Sequence, residues 1–239
     1  MIAAFLWGGL AASSLLAGFA LGERRLSNRT VGLIMGFGAG ALISALAYEL
    51  VPESVIQGWD AAVLFVAGAL TFFGGDWLID RWGGRHRKDI AGREREGSGP
   101  AIFLGTLLDA IPESLVLGMG LALGGSVGVA FLAAVFVSNL PEGVAGTVNL
   151  AAAGHSRRHI LFMWLSLVIF SAGCAALGYG LVEWIPSADG GLAQAFAGGA
   201  VLTMLADAMI PEAYQHGGKL AGLLTVAGFA AAAALSVLA

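Results

Sequence analysis

Apolar residues run along this chain in eight blocks, at 2–22, 31–54, 61–80, 101–123, 126–151, 159–182, 191–213 and 218–238. Each is close to the ~20 residues that a helix needs to cross the hydrocarbon core of a bilayer. Short polar turns separate them, such as Gly124-Gly125-Ser126 and Ser187-Ala188-Asp189-Gly190. The pattern predicts an all-α polytopic membrane protein of eight transmembrane helices, a single transmembrane domain over residues 1–239. One linker is longer: residues 81–100 carry Arg85, Arg87, Lys88, Arg93 and Arg95 against Asp89, Glu94 and Glu96. It reads as a flexible solvated loop between the third and fourth helices. The first block opens as Met1-Ile2-Ala3-Ala4-Phe5-Leu6-Trp7 with no basic n-region and stays apolar to Leu21, so it reads as a span and not a cleaved signal peptide.

Composition agrees with that reading. The chain is 58% hydrophobic and 12% charged, where soluble domains carry about 25% charged residues, and no large soluble domain is expected. Charge placement then orients the bundle. With eight crossings, Arg24, Arg25 and Arg29, the stretch Arg81 to Arg95, Arg157 with Arg158, and Lys219 all fall on one side. The opposite loops offer Asp60, Glu183 and Asp189 and no base. The positive-inside rule makes the basic side cytoplasmic and leaves both termini outside.

The second and seventh spans share a pattern. Phe37-Gly38-Ala39-Gly40 through Val51-Pro52-Glu53 aligns without gaps on Phe196-Ala197-Gly198-Gly199 through Ile210-Pro211-Glu212. In the assigned topology the two run in opposite directions. The match predicts inverted repeats in a 3+2+3 arrangement, spans one to three related to six to eight around a central pair. Such repeats with interrupted helices recur in transporters, where substrate binds at their junction near the midplane.

That central pair carries the chemistry. The fourth span contains Asp109-Ala110-Ile111-Pro112-Glu113 and the fifth Ser138-Asn139-Leu140-Pro141-Glu142. Spacing of four puts Asp109 with Glu113, and Ser138 with Glu142, on one helical face each, and Asn139 lies three residues before Glu142. Each proline also frees a carbonyl one turn earlier, that of Leu108 and of Val137, and tends to kink its helix. Carboxylates at membrane depth are costly unless they are compensated. A divalent cation would compensate this oxygen set, and protonation is the other way to remove the cost. Glu49 and Asp207, in the repeated spans, are further candidates to line a pathway; Glu53 and Glu212 approach span ends, and Asp76 and Asp80 read as ordinary end charges beside Arg81.

The other motifs read as structural. His86, His155, His159 and His216 fall on the cytoplasmic side as loop histidines, and the six tryptophans sit mostly near span ends as interfacial anchors. Cys174, the single cysteine, reads as a buried structural thiol. No phosphate loop, hydrolytic triad or dinucleotide fingerprint is present, which argues against an enzyme and against nucleotide or nucleic acid as a partner.

These residues resemble the ZIP family of divalent metal transporters, in particular its bacterial GufA-like branch. The likeness covers the whole chain: eight spans, a variable loop after the third, outside termini, and Pro-Glu motifs in spans four and five. It implies transport of zinc, or of manganese, iron(II) or cadmium, into the cytoplasm across a bacterial inner membrane by a protein that is often a homodimer. The metal is then substrate and no prosthetic group is expected. Carried over by position, the resemblance makes Asp109, Glu113, Ser138 and Glu142 the principal metal ligands, and Asn139 a ligand of an adjacent second site. The family pattern His-Asn-x-Pro-Glu-Gly reads Asp109-Ala110-Ile111-Pro112-Glu113-Ser114 here. Ala110 therefore removes a second-site ligand, and the all-oxygen set of Asp109 and Ser138 weakens the preference for zinc over manganese or iron. Two alternatives stay open from the residues alone: a proton-coupled carrier of a non-metal solute, and a non-transporting membrane metal sensor.

Overall fold

In a computed structural model, residues 1–24, 26–50, 58–84, 99–123, 129–184 and 190–238 are described. Among them eight helices are long and apolar enough to cross a membrane: α1 Ile2–Gly22, α2 Asn28–Tyr48, α3 Trp59–Trp82, α4 Pro100–Ala122, α5 Ala130–Ala152, α6 Arg157–Trp184, α7 Gly191–Gly217 and α8 Lys219–Leu238. The number of spans agrees with the hydropathy, while several boundaries differ. The second helix starts three residues before its apolar block because Ser27 caps it, its hydroxyl accepting from the Thr30 N–H at 3.1 Å. The seventh continues to Gly217, past the predicted 213, and Gly218 ends it with φ +61°, a conformation that glycine adopts without strain. Most of the charged 81–100 linker, with His86, lies outside the described residues, as do Pro52 and Glu53.

The helices pack in matched pairs. α2 lies on α8 as α7 lies on α3; α5 lies on α1 as α4 lies on α6; α2 meets α5 as α7 meets α4. The pairs α1–α6, α2–α7 and α4–α5 each join a helix to its own counterpart. This is the contact pattern of two three-helix repeats around a central pair.

Backbone contacts at glycine show that the repeat holds residue by residue. A methyl placed on Gly40 of α2 would stand 1.8 Å from the Thr225 carbonyl oxygen of α8, and one on Gly199 of α7 would stand 1.9 Å from that of Phe65 in α3. In the other direction, a methyl on Gly228 would meet the Phe37 oxygen at 2.0 Å and one on Gly68 the Phe196 oxygen at 1.8 Å. Each residue in one contact stands 159 or 160 positions from its counterpart in the other. Gly18 of α1 against Leu140 of α5, and Gly178 of α6 against Leu115 of α4, continue the series. Helices in lipid gain stability from such close backbone approach, because lipid tails are as apolar as the protein interior and hydrophobic burial adds little between them.

The repeat extends to its irregularities. Leu46–Leu50 in α2 and Leu205–Met209 in α7 form π-helical turns, again 159 residues apart. Pro52 and Pro211 hold equivalent places, and a proline lacks the N–H that would bond the carbonyl four residues back, here that of Tyr48 and of Asp207. The backbone widens by one residue at that turn. Pro112 and Pro141, by contrast, lie inside stretches that are α-helical throughout. The interruptions fall in the repeated spans and not in the central pair.

α3 and α8 are the most peripheral helices. Val63, Val66, Leu70 and Phe73 of α3 and Leu223 and Val226 of α8 are exposed, an apolar surface suited to lipid. Met35 and Leu42 of α2, Leu117 and Met119 of α4, and Met204 and Leu205 of α7 are fully buried.

Candidate functional site

α4 and α5 are the two helices that the repeats surround, and they carry most of the bundle's buried polar side chains. Asp109 is 2% exposed, Glu113 1% and Glu142 5%, while Ser138 and Asn139 are likewise buried. All five central residues singled out from the sequence therefore lie inside the bundle. Thr106 and Ser114 of α4 and Thr147 and Asn149 of α5 join them.

The two helices run in opposite directions and touch. At 1.5 Å per residue, Asp109 lies about 14 Å along α4 from Pro100, and Glu142 about 15 Å along α5 from Ala152. Glu113 and Ser138 both lie about 20 Å from those same ends. Along each helix one turn separates the two groups, Asp109 from Glu113 on α4 and Ser138 from Glu142 on α5. The backbone of α2 closes on this region: a methyl on Gly38 would fall 2.9 Å from the Ser138 α-carbon. Ser138 Oγ donates to the Val135 carbonyl at 2.9 Å, which directs its lone pairs away from its own backbone.

The convergence is partial. Among the described residues, no group of three or more His, Cys, Asp or Glu side chains is gathered closely enough to hold a metal ion. Asp109, Glu113 and Glu142 share the buried layer without closing into a three-carboxylate cage. Asp207 is not buried with them. It sits in the π-turn of α7 and is exposed, one helical turn beyond Thr203 and two beyond Gly199, the residue that leans on α3. Glu49 lies in the equivalent region of α2, and its side chain is outside the described residues.

Several residues depart from their sequence reading. Asp76, expected as an ordinary end charge, is buried within α3. Trp164, grouped with the interfacial anchors, is 1% exposed; its indole N–H donates to Thr147 Oγ1 at 2.9 Å, and that hydroxyl donates to the Gly143 carbonyl at 2.6 Å. A buried indole needs such a partner, and Thr147 supplies it. Trp59, Trp82 and Trp184 are well exposed at helix ends, as interfacial anchors are. Glu212 and His216, placed near a span end and in a loop, come together on the last two turns of α7, with Glu212 Oε1 2.8 Å from His216 Nε2. His155 and His159 stack with ring centroids 5.0 Å apart.

Thr106, Thr147 and Asn149 are buried polar residues of the central pair that the Pro-Glu motifs do not include. Thr106 is three residues before Asp109, on the same face, and Asn149 is seven after Glu142, so helical spacing was the available signal.

No protein-family model matches the chain, and no curated protein matches it.

Proposed function

We propose that this protein carries a divalent metal ion across a membrane toward its basic, cytoplasmic side, as a member of the ZIP family, with Asp109, Glu113, Ser138 and Glu142 as the coordinating groups. The observation that carries this reading is the burial of three carboxylates on α4 and α5, two of them within 2% of full burial, inside an apolar bundle. Carboxylates at that depth are retained when they face an ion or a proton path. Hard oxygen donors suit manganese and iron(II) as well as zinc, and zinc leads through the family resemblance.

In this reading a hydrated ion enters from the outer side and exchanges water for Asp109, Glu113, Ser138 and Glu142. The carboxylates lower the cost of dehydration by supplying fixed negative charge in a low-dielectric setting. The glycine contacts between α2 and α8, and between α7 and α3, make two closely joined helix pairs flanking the central pair. Inverted repeats of this kind move one group of helices against the other around a substrate site. Asn139 belongs to a second, weaker site, and Glu49 and Asp207 line the approach. The same reading places the protein in a bacterial inner membrane with outside termini, as a homodimer whose partners are the metal ion and lipid.

Uptake of Zn²⁺, Mn²⁺, Fe²⁺ and Cd²⁺ into proteoliposomes of the purified protein, with and without a pH gradient, tests the proposal. Saturable uptake of at least one ion is expected, lost in both Glu113→Gln and Glu142→Gln. Absence of flux for every ion from folded wild-type protein would overturn it, and a proton current without metal dependence would favour the non-metal carrier.

A further inference from the structure

Away from the central carboxylates, a cleft of about 610 Å³ opens between α1 and α2 over the last turns of α5. It exists because the first two helices, though consecutive in the chain, each pack on α5 and leave a gap between them. Its volume lies within the ~300–1,000 Å³ of ligand pockets.

The polarity of its walls changes with depth. Phe19, Val31, Val144 and Ile160, all buried, form the apolar interior. Thr147 is the polar group among them, and its hydroxyl is already engaged by Trp164 and the Gly143 carbonyl. The rim carries Glu23, His155 and Arg157. Arg157 pairs with Glu23 at 2.5 Å and lies over the Phe19 ring at 5.9 Å. Arg24, Arg29 and Arg158 do not line the cleft but are exposed one residue from the lining residues Glu23, Asn28 and Arg157, so bases outnumber the one acid around its mouth. A hydrated ion finds no ligands in such an interior, whereas an amphiphile with an anionic head matches both zones.

We infer that this cleft holds an acyl chain of an anionic phospholipid from the cytoplasmic leaflet, with the lipid phosphate at Arg157. The gap between α1 and α2 gives the chain sideways entry from the bilayer, and basic recesses between helices at that level favour anionic head groups. The guanidinium can hold a phosphate with two of its N–H donors while Glu23 keeps a third. The occupied cleft would brace α1 against α2.

Native mass spectrometry of the delipidated full-length protein tests this with dioleoyl phosphatidylglycerol, dioleoyl phosphatidylcholine and glycerol 3-phosphate. One phosphatidylglycerol per chain is expected, held about fivefold more tightly than phosphatidylcholine, the fold-change that follows from about 1 kcal/mol per arginine. Arg157→Gln should abolish that preference. Val148→Trp, at a half-buried wall position, should remove binding of both lipids. If that variant does not fold, Ala151→Phe at the exposed rim makes the same test. Equal binding of the two lipids by the wild type would overturn the inference, as would unchanged binding after the cleft is filled. Displacement of the lipid by glycerol 3-phosphate would reduce the site to a phosphate contact and overturn the acyl-chain assignment.

Discussion

Replacing Gly40 by alanine would test the packing that the repeat imposes. The added methyl would stand 1.8 Å from the Thr225 carbonyl oxygen and 2.7 Å from its carbon. A relaxed C···O contact is about 3.3 Å, so α2 and α8 must part by about 1.5 Å, because the obstacle is helix backbone and cannot rotate aside. A gap of even 0.5–1 Å forfeits a quarter to a half of the dispersion attraction across an interface. We expect a loss of about 3 kcal/mol, at the upper end of the range for overpacking. Gly199→Ala should cost the same, since its methyl would meet the Phe65 oxygen at 1.9 Å. Gly222→Ala is the control: it lies on α8, where a methyl meets nothing within 4 Å, and alanine there should be neutral or slightly stabilising. Reversible unfolding in mixed micelles of increasing SDS content reads all three. If Gly40→Ala and Gly199→Ala both stay within 0.5 kcal/mol of wild type, about the size of an ordinary surface change, the close approach is wrong and the symmetry argument falls with it.

Two other substitutions probe buried polar groups. Ser44 is fully buried, and its hydroxyl has no hydrogen-bond partner among the described residues, whereas its counterpart Thr203 donates to the Gly199 carbonyl at 2.9 Å. Ser44→Ala should therefore stabilise by about 1 kcal/mol, and destabilisation in the same SDS titration would show that the hydroxyl is used. Thr147→Val should cost about 1–3 kcal/mol by stranding the Trp164 indole N–H, with Thr147→Ser restoring most of it; equal stability of the valine and serine forms would count against the bond.

The eight spans were legible because membrane insertion depends on the summed apolarity of about twenty consecutive residues, which is a local property. The aligned stretches at Phe37 and Phe196 likewise announced the repeat, and the Pro-Glu motifs pointed to Asp109, Glu113, Ser138, Asn139 and Glu142, all of which are buried. Burial elsewhere could not be read this way. In a soluble helix the polar face marks the outside, but in lipid both faces are apolar, and periodicity no longer says which one meets protein. Asp76 and Trp164 looked like end groups for that reason, and only the neighbours of α3 and α6 decide that they are enclosed. Asp207, a candidate from the repeat to line a pathway, is left exposed by the packing of α7, and that exposure too depends on tertiary neighbours. The sequence alone thus determined the number of crossings, the repeated segments and the chemical identity of the central layer. Tertiary structure alone decided the glycine register that joins the repeats and the cleft beside α5. Each of these depends on which residues distant in the chain come within contact range, and hydropathy carries no record of that.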